Sequence, residues 1–252
     1  MPSHFSTIGF PVNDESDFLA LANRVANDCD AVNVPGGRYL RWASDCGAEI
    51  WLQLDRTHNL IGMVPHFAGE SSVRVGITSR IARPDDTAMD GAFHGWADPP
   101  GEDPETGVYP LVFDAPDYCR HGALTIPSIV PVQLAAFAHE ISVFDSPDAY
   151  NASQAGEFKL ASQSFIPSGL FSPDGEPTEP PQAYGIFSGH ILQTAKKRNP
   201  LTGHSFYWAL VDSLGGVFDV VIDPALMGHE PEVGGVLTGS FWLSGCLATQ
   251  AS

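Results

Sequence analysis

The residues with chemistry to offer are scattered along this chain. Nine histidines occur, each standing alone. His139 and Glu140 are neighbours in a segment that reads as a strand, so their side chains point to opposite faces. No histidine stands at 143, so this is not the two-histidine helix of a zinc protease. His94 and Asp98 are four apart in another strand and share a face with Trp96. Closure of a barrel would bring them toward His121 or His139. A mixed His/Asp set of that kind suits a hard or borderline divalent cation. Glu49 with a nearby histidine such as His66 is a second candidate metal pair. The plainer reading of every one of these is a hydrogen-bonded strand residue.

Nucleophiles and phosphate cradles leave no signature. No Walker loop, GxGxxG or GxSxG is present, and no catalytic residue stands out. Gly234-Gly235 lacks the phosphate-loop lysine. The four cysteines, Cys29, Cys46, Cys119 and Cys246, form no CxxC pair. Met1 to Phe10 has no basic, apolar leader, so free thiols in a reducing cytoplasm are expected. No apolar run approaches the ~18 residues of a membrane span.

Lys196-Lys197-Arg198 is the one basic cluster, and Phe206, Tyr207 and Trp208 follow it. A basic groove with stacking aromatics is what a single-stranded nucleic acid needs. That makes Lys196, Lys197, Arg198 and Tyr207 candidate contacts. Two facts argue against them. Phe206 and Trp208 share a face expected to fill a core. Acidic residues also outnumber basic ones 30 to 12, a net charge of −18, which repels a phosphate backbone or an anionic membrane.

The elements that must position these groups are mostly strands. His4 to Val12 reads as a strand. Asn13 or Asp14 caps a helix whose Phe18, Leu21, Val25 and Cys29 make one stripe. Pro35-Gly36-Gly37 is a turn, and strands follow over Arg38 to Ala43, Ala48 to Leu54 and Asn59 to Phe67. A short strand over Val32 to Val34 is an optional extra. In Ala48 to Leu54 the apolar residues take one face, and Glu49, Trp51 and Gln53 the other.

This βαβββ order, ending near Gly47-Ala-Glu-Ile-Trp-Leu-Gln-Leu54, resembles a single module of the vicinal oxygen chelate (glyoxalase-like) superfamily over residues 4–67. The resemblance implies a divalent metal held by histidine and glutamate from the sheet. Glu49 stands where the late-strand glutamate falls. His4 is the only histidine near the first strand, and it lies at that strand's beginning. No second module follows. In style the whole chain resembles a bacterial protein.

An internal repeat occupies the remainder. Gly107-Val-Tyr-Pro-Leu-Val-Phe-Asp114 parallels Gly216-Val-Phe-Asp-Val-Val-Ile-Asp223. Upstream, Phe93, Trp96 and Asp98 answer Phe206, Trp208 and Asp212. Downstream, the Pro131 to Ser142 strand answers Val236 to Ser244. Each unit has strands, a short helical connection and a long closing strand, and resembles an OB-fold barrel. A generic antiparallel sandwich is the alternative. Pro167 to Pro181 reads as an acidic, solvated linker, and Ala161 to Leu170 as an inter-domain packing strip or a binding loop.

The expectation is therefore an α+β, mostly β chain. A βαβββ unit (1–70) precedes an OB-like antiparallel barrel (71–160), a linker (161–182) and a second OB-like barrel (183–252). With no catalytic signature, it is expected to be a non-catalytic binding or protein-interaction module using surfaces between its units. Its partner is then a protein or a small molecule, with self-association open. A glyoxalase-like metal enzyme and a single-strand binder are the rivals.

Overall fold

The computed structural model describes residues 3–155, 159–170 and 180–248. The segment read as a first strand instead forms a 3-10 turn, Ser6–Ile8. Its hydroxyls explain the difference. Ser6 Oγ donates to the Ser3 carbonyl and Thr7 Oγ1 to the His4 carbonyl, which offers the backbone a local alternative to a ladder. Helix α1 (Glu15–Val25) starts at Asp14, whose side chain accepts from the Asp17 N–H. Leu21, Ala22 and Val25 are its buried stripe.

Four strands follow as an antiparallel meander in chain order: β1 (Asp30–Val34), β2 (Gly37–Ala43), β3 (Ala48–Asp55) and β4 (Leu60–Phe67). The unit is αββββ, with β1 after the helix in place of a strand before it. Both faces of β3 are covered. Ala48, Ile50 and Leu52 pack with Leu21, Val25 and Trp42. Glu49, Trp51 and Gln53 are no more than 2% exposed. Trp51 packs against Tyr39 and Met89, and Gln53 bonds Thr87 and Asp90. Polar residues on the second face marked a surface met by another part of the chain, not by water.

Among the described residues, nine further strands form one sheet closed into a ring. They are β5 (Val73–Ile81), β6 (Ala92–Ala97), β7 (Pro110–Asp114), β8 (Ser128–Phe144), β9 (Ser164–Ile166), β10 (Tyr184–Arg198), β11 (Ser205–Ser213), β12 (Gly216–Ile222) and β13 (Val236–Leu247), with helix α2 (Pro147–Ser153) after β8. Strands β8 and β13 make a long antiparallel ribbon, from Val132↔Leu247 to Phe144↔Val236. The run β5-β6-β7 closes on one end of it: β5 pairs with β8 over Ser128–Val132, and β7 meets β13 at Ser244. The run β10-β11-β12 closes on the other end, where β12 pairs with β8 at Ala135–Phe137 and β10 with β13 at Val236–Trp242.

Each half is thus three antiparallel strands, a 3-10 turn (Tyr118–His121 or Pro224–Leu226) and a long strand. The sequence suggested two barrels, each built from its own segment. Instead the two closing strands are shared. At ~3.3 Å per residue the 17 residues of β8 reach ~56 Å, more than one small ring can use, so its two ends serve both.

Alternation along the strands sorts the core. Val130, Val132, Leu134, Ala136 and Ala138 of β8 point into the ring with Phe187, Phe218 and Phe241. Phe165 of β9 stacks on Tyr109 at 4.2 Å, so the described part of the 161–170 strip packs inward. Ala135, Phe137 and Trp242 point out, beneath the N-terminal unit, and so do Phe206 and Trp208. The aromatic pair expected inside a barrel therefore fills the seam between the two sheets. One glycine matters to that seam. A Cβ on Gly69 would lie 2.0 Å from the Asp219 carboxyl carbon, and its absence lets the Glu70 and Ser71 N–H groups reach that carboxylate.

Candidate functional site

The four-stranded sheet carries a row of polar residues across its second face. Asp30 pairs with Arg41, Arg41 with Trp51, and Glu49 with His66, on adjacent strands. Opposite them lie Gln133 of β8 and Cys246 of β13, themselves register partners on the outward side of the ribbon. Asp117 and Arg120, in and just before the 3-10 turn 118–121, close a third side. These groups line a cleft of about 500 Å³ between the two sheets, a volume suited to a small molecule.

Two of the three carboxylates in the cleft are spent on the protein, and Asp30 stands exposed at its edge. Glu49 accepts from Arg41 through one oxygen and from the Trp51 indole through the other (2.9 Å). Asp117 accepts from Arg120 and is bonded to His121, each at 3.0 Å. Burial pushes the Asp117 carboxyl up, but His121 and Arg120 outweigh it and hold the group below the usual range.

His66 is spent as well. Gln133 donates its Nε2–H to Asp219 at 2.8 Å, which turns its Oε1 toward His66 Nε2 at 2.9 Å. His66 therefore carries its proton on Nε2, and Nδ1 accepts from the Ser244 hydroxyl at 2.8 Å. Burial lowers the His66 pKa and keeps the ring neutral. Asp219, fully buried, accepts from Glu70 N, Ser71 N, Gln133 and the Trp208 indole. The Cys246 thiol faces the cleft, and burial raises its pKa well above the ordinary value, so the nucleophilic thiolate is suppressed.

The guanidiniums differ. Arg41 and Arg120 each give one nitrogen to a carboxylate. Their other N–H groups have no protein partner among the described residues. Their side chains stay 36% and 37% exposed.

The candidate metal residues fall into separate places. Glu49 and His66 do come together as cross-strand neighbours. Every side-chain oxygen and nitrogen of the pair is already bonded, so a glyoxalase-type metal does not fit them without breaking those bonds. His94, on β6, bonds the Thr78 hydroxyl at 2.7 Å. Asp98 stands exposed past the end of β6 with φ +46. His139, on β8, meets His4 head to head, Nε2 to Nε2 at 2.7 Å, and His4 stacks on Trp242 at 4.3 Å. His121 serves Asp117. Among the described residues no group of three or more His, Cys, Asp and Glu is arranged to hold a metal ion.

The basic cluster is divided too. Lys196 lies over Tyr207 and 3.8 Å from Glu230, whereas Lys197 lies over Phe67 and Trp208. Arg198 donates to the Gly203 carbonyl at 3.0 Å. Tyr207 is 5% exposed in the ring core and donates its hydroxyl to Glu230, so its face is closed to a base.

Arg41, Asp117, Arg120 and Gln133 went unmarked in the sequence, and Cys246 was read only as one of four free thiols. Only Arg41 carried a signal, standing across a predicted hairpin from the Glu49/Trp51 face. Comparison of the chain with protein-family models, with curated proteins and with solved structures finds no match.

Proposed function

We propose that this chain is a binding module that holds a small polar molecule in the cleft between its two sheets and does no chemistry on it. One observation carries the reading. Glu49, Asp117 and His66 are each bonded to neighbouring protein groups and the Cys246 thiol is held protonated, while two arginines keep free donors and Asp30 alone among the cleft acids has no protein partner among the described residues. A general base must be free to take a proton within reach of substrate. Glu49, His66 and Asp117 are instead held by cations, the Trp51 indole, Ser244 and Gln133, and Asp30 is an exposed carboxylate at the cleft with no histidine or hydroxyl bonded to it among the described residues. The halves of the ring, each with an OB-like order of strands and turn, serve as the rigid wall behind the cleft.

Thermal-shift screening of acidic, neutral and basic small molecules tests this, using wild type and Ala68→Trp. Ala68 lines the cleft and is exposed, so a tryptophan there fills space without disturbing a buried bond. The expected result is a set of stabilising compounds lost in Ala68→Trp and recovered unchanged by mass spectrometry. Conversion of such a compound, or stabilisation only by divalent metal or by oligonucleotide, would overturn the reading.

A further inference from the structure

We propose that the molecule held in the cleft is an oxyanion, carboxylate or phosphate, gripped between Arg41 and Arg120; this rests on the binding reading above. Each carboxylate oxygen of Glu49 and Asp117, and His66 Nδ1, already has a protein partner. Apart from Asp30, what the lining charges leave open is donors: the uncommitted N–H groups of Arg41 and Arg120, two of only nine arginines in an acidic chain. Arg41, Arg120 and the Cys246 thiol line the same cleft, which places both guanidiniums around one space.

A planar fork of N–H donors matches carboxylate and phosphate oxygens. Each arginine is also pre-oriented. Glu49 and Asp117, both nearly buried, anchor one nitrogen, and Arg41 lies 5.6 Å from the Trp51 ring centre. Three carboxylates of the lining oppose an anion; Glu49 and Asp117 are offset by the arginines they hold, and Asp30 is not. Asp30 is exposed, lines the same cleft and has no hydrogen-bonded partner among the described residues. It therefore gives a test of opposite sign.

Isothermal titration of the full chain at low salt with malonate, inorganic phosphate and putrescine decides the matter. Malonate or phosphate is expected to bind, and which of the two binds tighter separates a carboxylate from a phosphate ligand. Arg120→Gln, in which Asp117 keeps His121, should weaken the anion about tenfold or more. Asp30→Asn should tighten it about two- to threefold. Ala68→Trp should abolish it, and Lys196→Gln should leave it unchanged. Binding of putrescine in place of the anions, or anion binding indifferent to Arg120→Gln, overturns the ligand class and leaves the binding reading standing. If no compound of any charge is lost in Ala68→Trp, both fall.

Discussion

At the residue scale, the seam depends on a chain of hydrogen bonds that runs from Ser244 through His66 and Gln133 to Asp219. Such a network is worth most when complete, since a buried orphan costs its full desolvation. Gln133→Leu should therefore cost about 2 kcal/mol, read from urea unfolding at pH 7.5, although leucine fills similar space. Acid should act through the histidines. Burial first, and for His4 also its partner His139, lowers the pKa of His4 to about 4 from the ordinary 6.5. His66, His94 and His139 are lowered by burial too. The unfolded chain then binds more protons below pH ~6.5, so stability is complete above that value and is lost as pH falls toward 4. The urea midpoint should drop between pH 7 and 5, and His4→Gln should flatten that drop. An unchanged slope in His4→Gln would sink this account of the His4–His139 contact.

Little of this was legible residue by residue. Glu49 and His66 stood out because acids and histidines in strands always invite a metal reading. Their saturation depends on Arg41, Trp51, Gln133 and Ser244, which reach them across strand pairings that no local spacing encodes. The contribution of Arg120 depends on a turn far along the chain that folds back over the sheet.

At the scale of elements, more could be read. The cap at Asp14, the stripe of α1 and the strands β2 to β4 follow from local rules, and the repeat of three strands, turn and long strand is visible as Gly107–Asp114 against Gly216–Asp223. Two things were hidden. Residues 4–12 alternate like a strand, yet Ser6 and Thr7 turn the backbone on itself. The pairing partner of a long strand is also not written in that strand. Phe165 tests how the short β9 is held, for it stacks on Tyr109 and packs near Phe187 and Phe218. Phe165→Ala should cost about 3 kcal/mol or more, with faster amide exchange in β9 than in the β8–β13 ribbon. A cost below about 1 kcal/mol would mean that the strip merely lies on the ring.

At the scale of the whole molecule, the shared ribbon has a consequence for folding. Neither half of the ring can close without the other's long strand, because β12 needs β8 and β7 needs β13. Unfolding should be a single cooperative transition by fluorescence and circular dichroism alike. Chains cut between 161 and 182 should be unfolded apart and regain structure when mixed. Two separate transitions would show independent barrels. The charge of −18 lies mainly on helix start and loops, which favours solubility; in the cleft, two arginines stand against three carboxylates, Asp30, Glu49 and Asp117.

The five tryptophans offer the most direct test of where a ligand sits. The Trp51 indole N–H is bonded to Glu49 in the cleft, Trp208 and Trp242 are bonded elsewhere, and Trp42 and Trp96 do not line it. A nitrogen–proton correlation spectrum of the full chain resolves each indole during titration with malonate or phosphate. The account predicts that the Trp51 signal moves saturably while the Trp96 signal stays, and that Ala68→Trp removes the movement. A Trp51 signal that stays fixed while another indole follows the bound anion would contradict it.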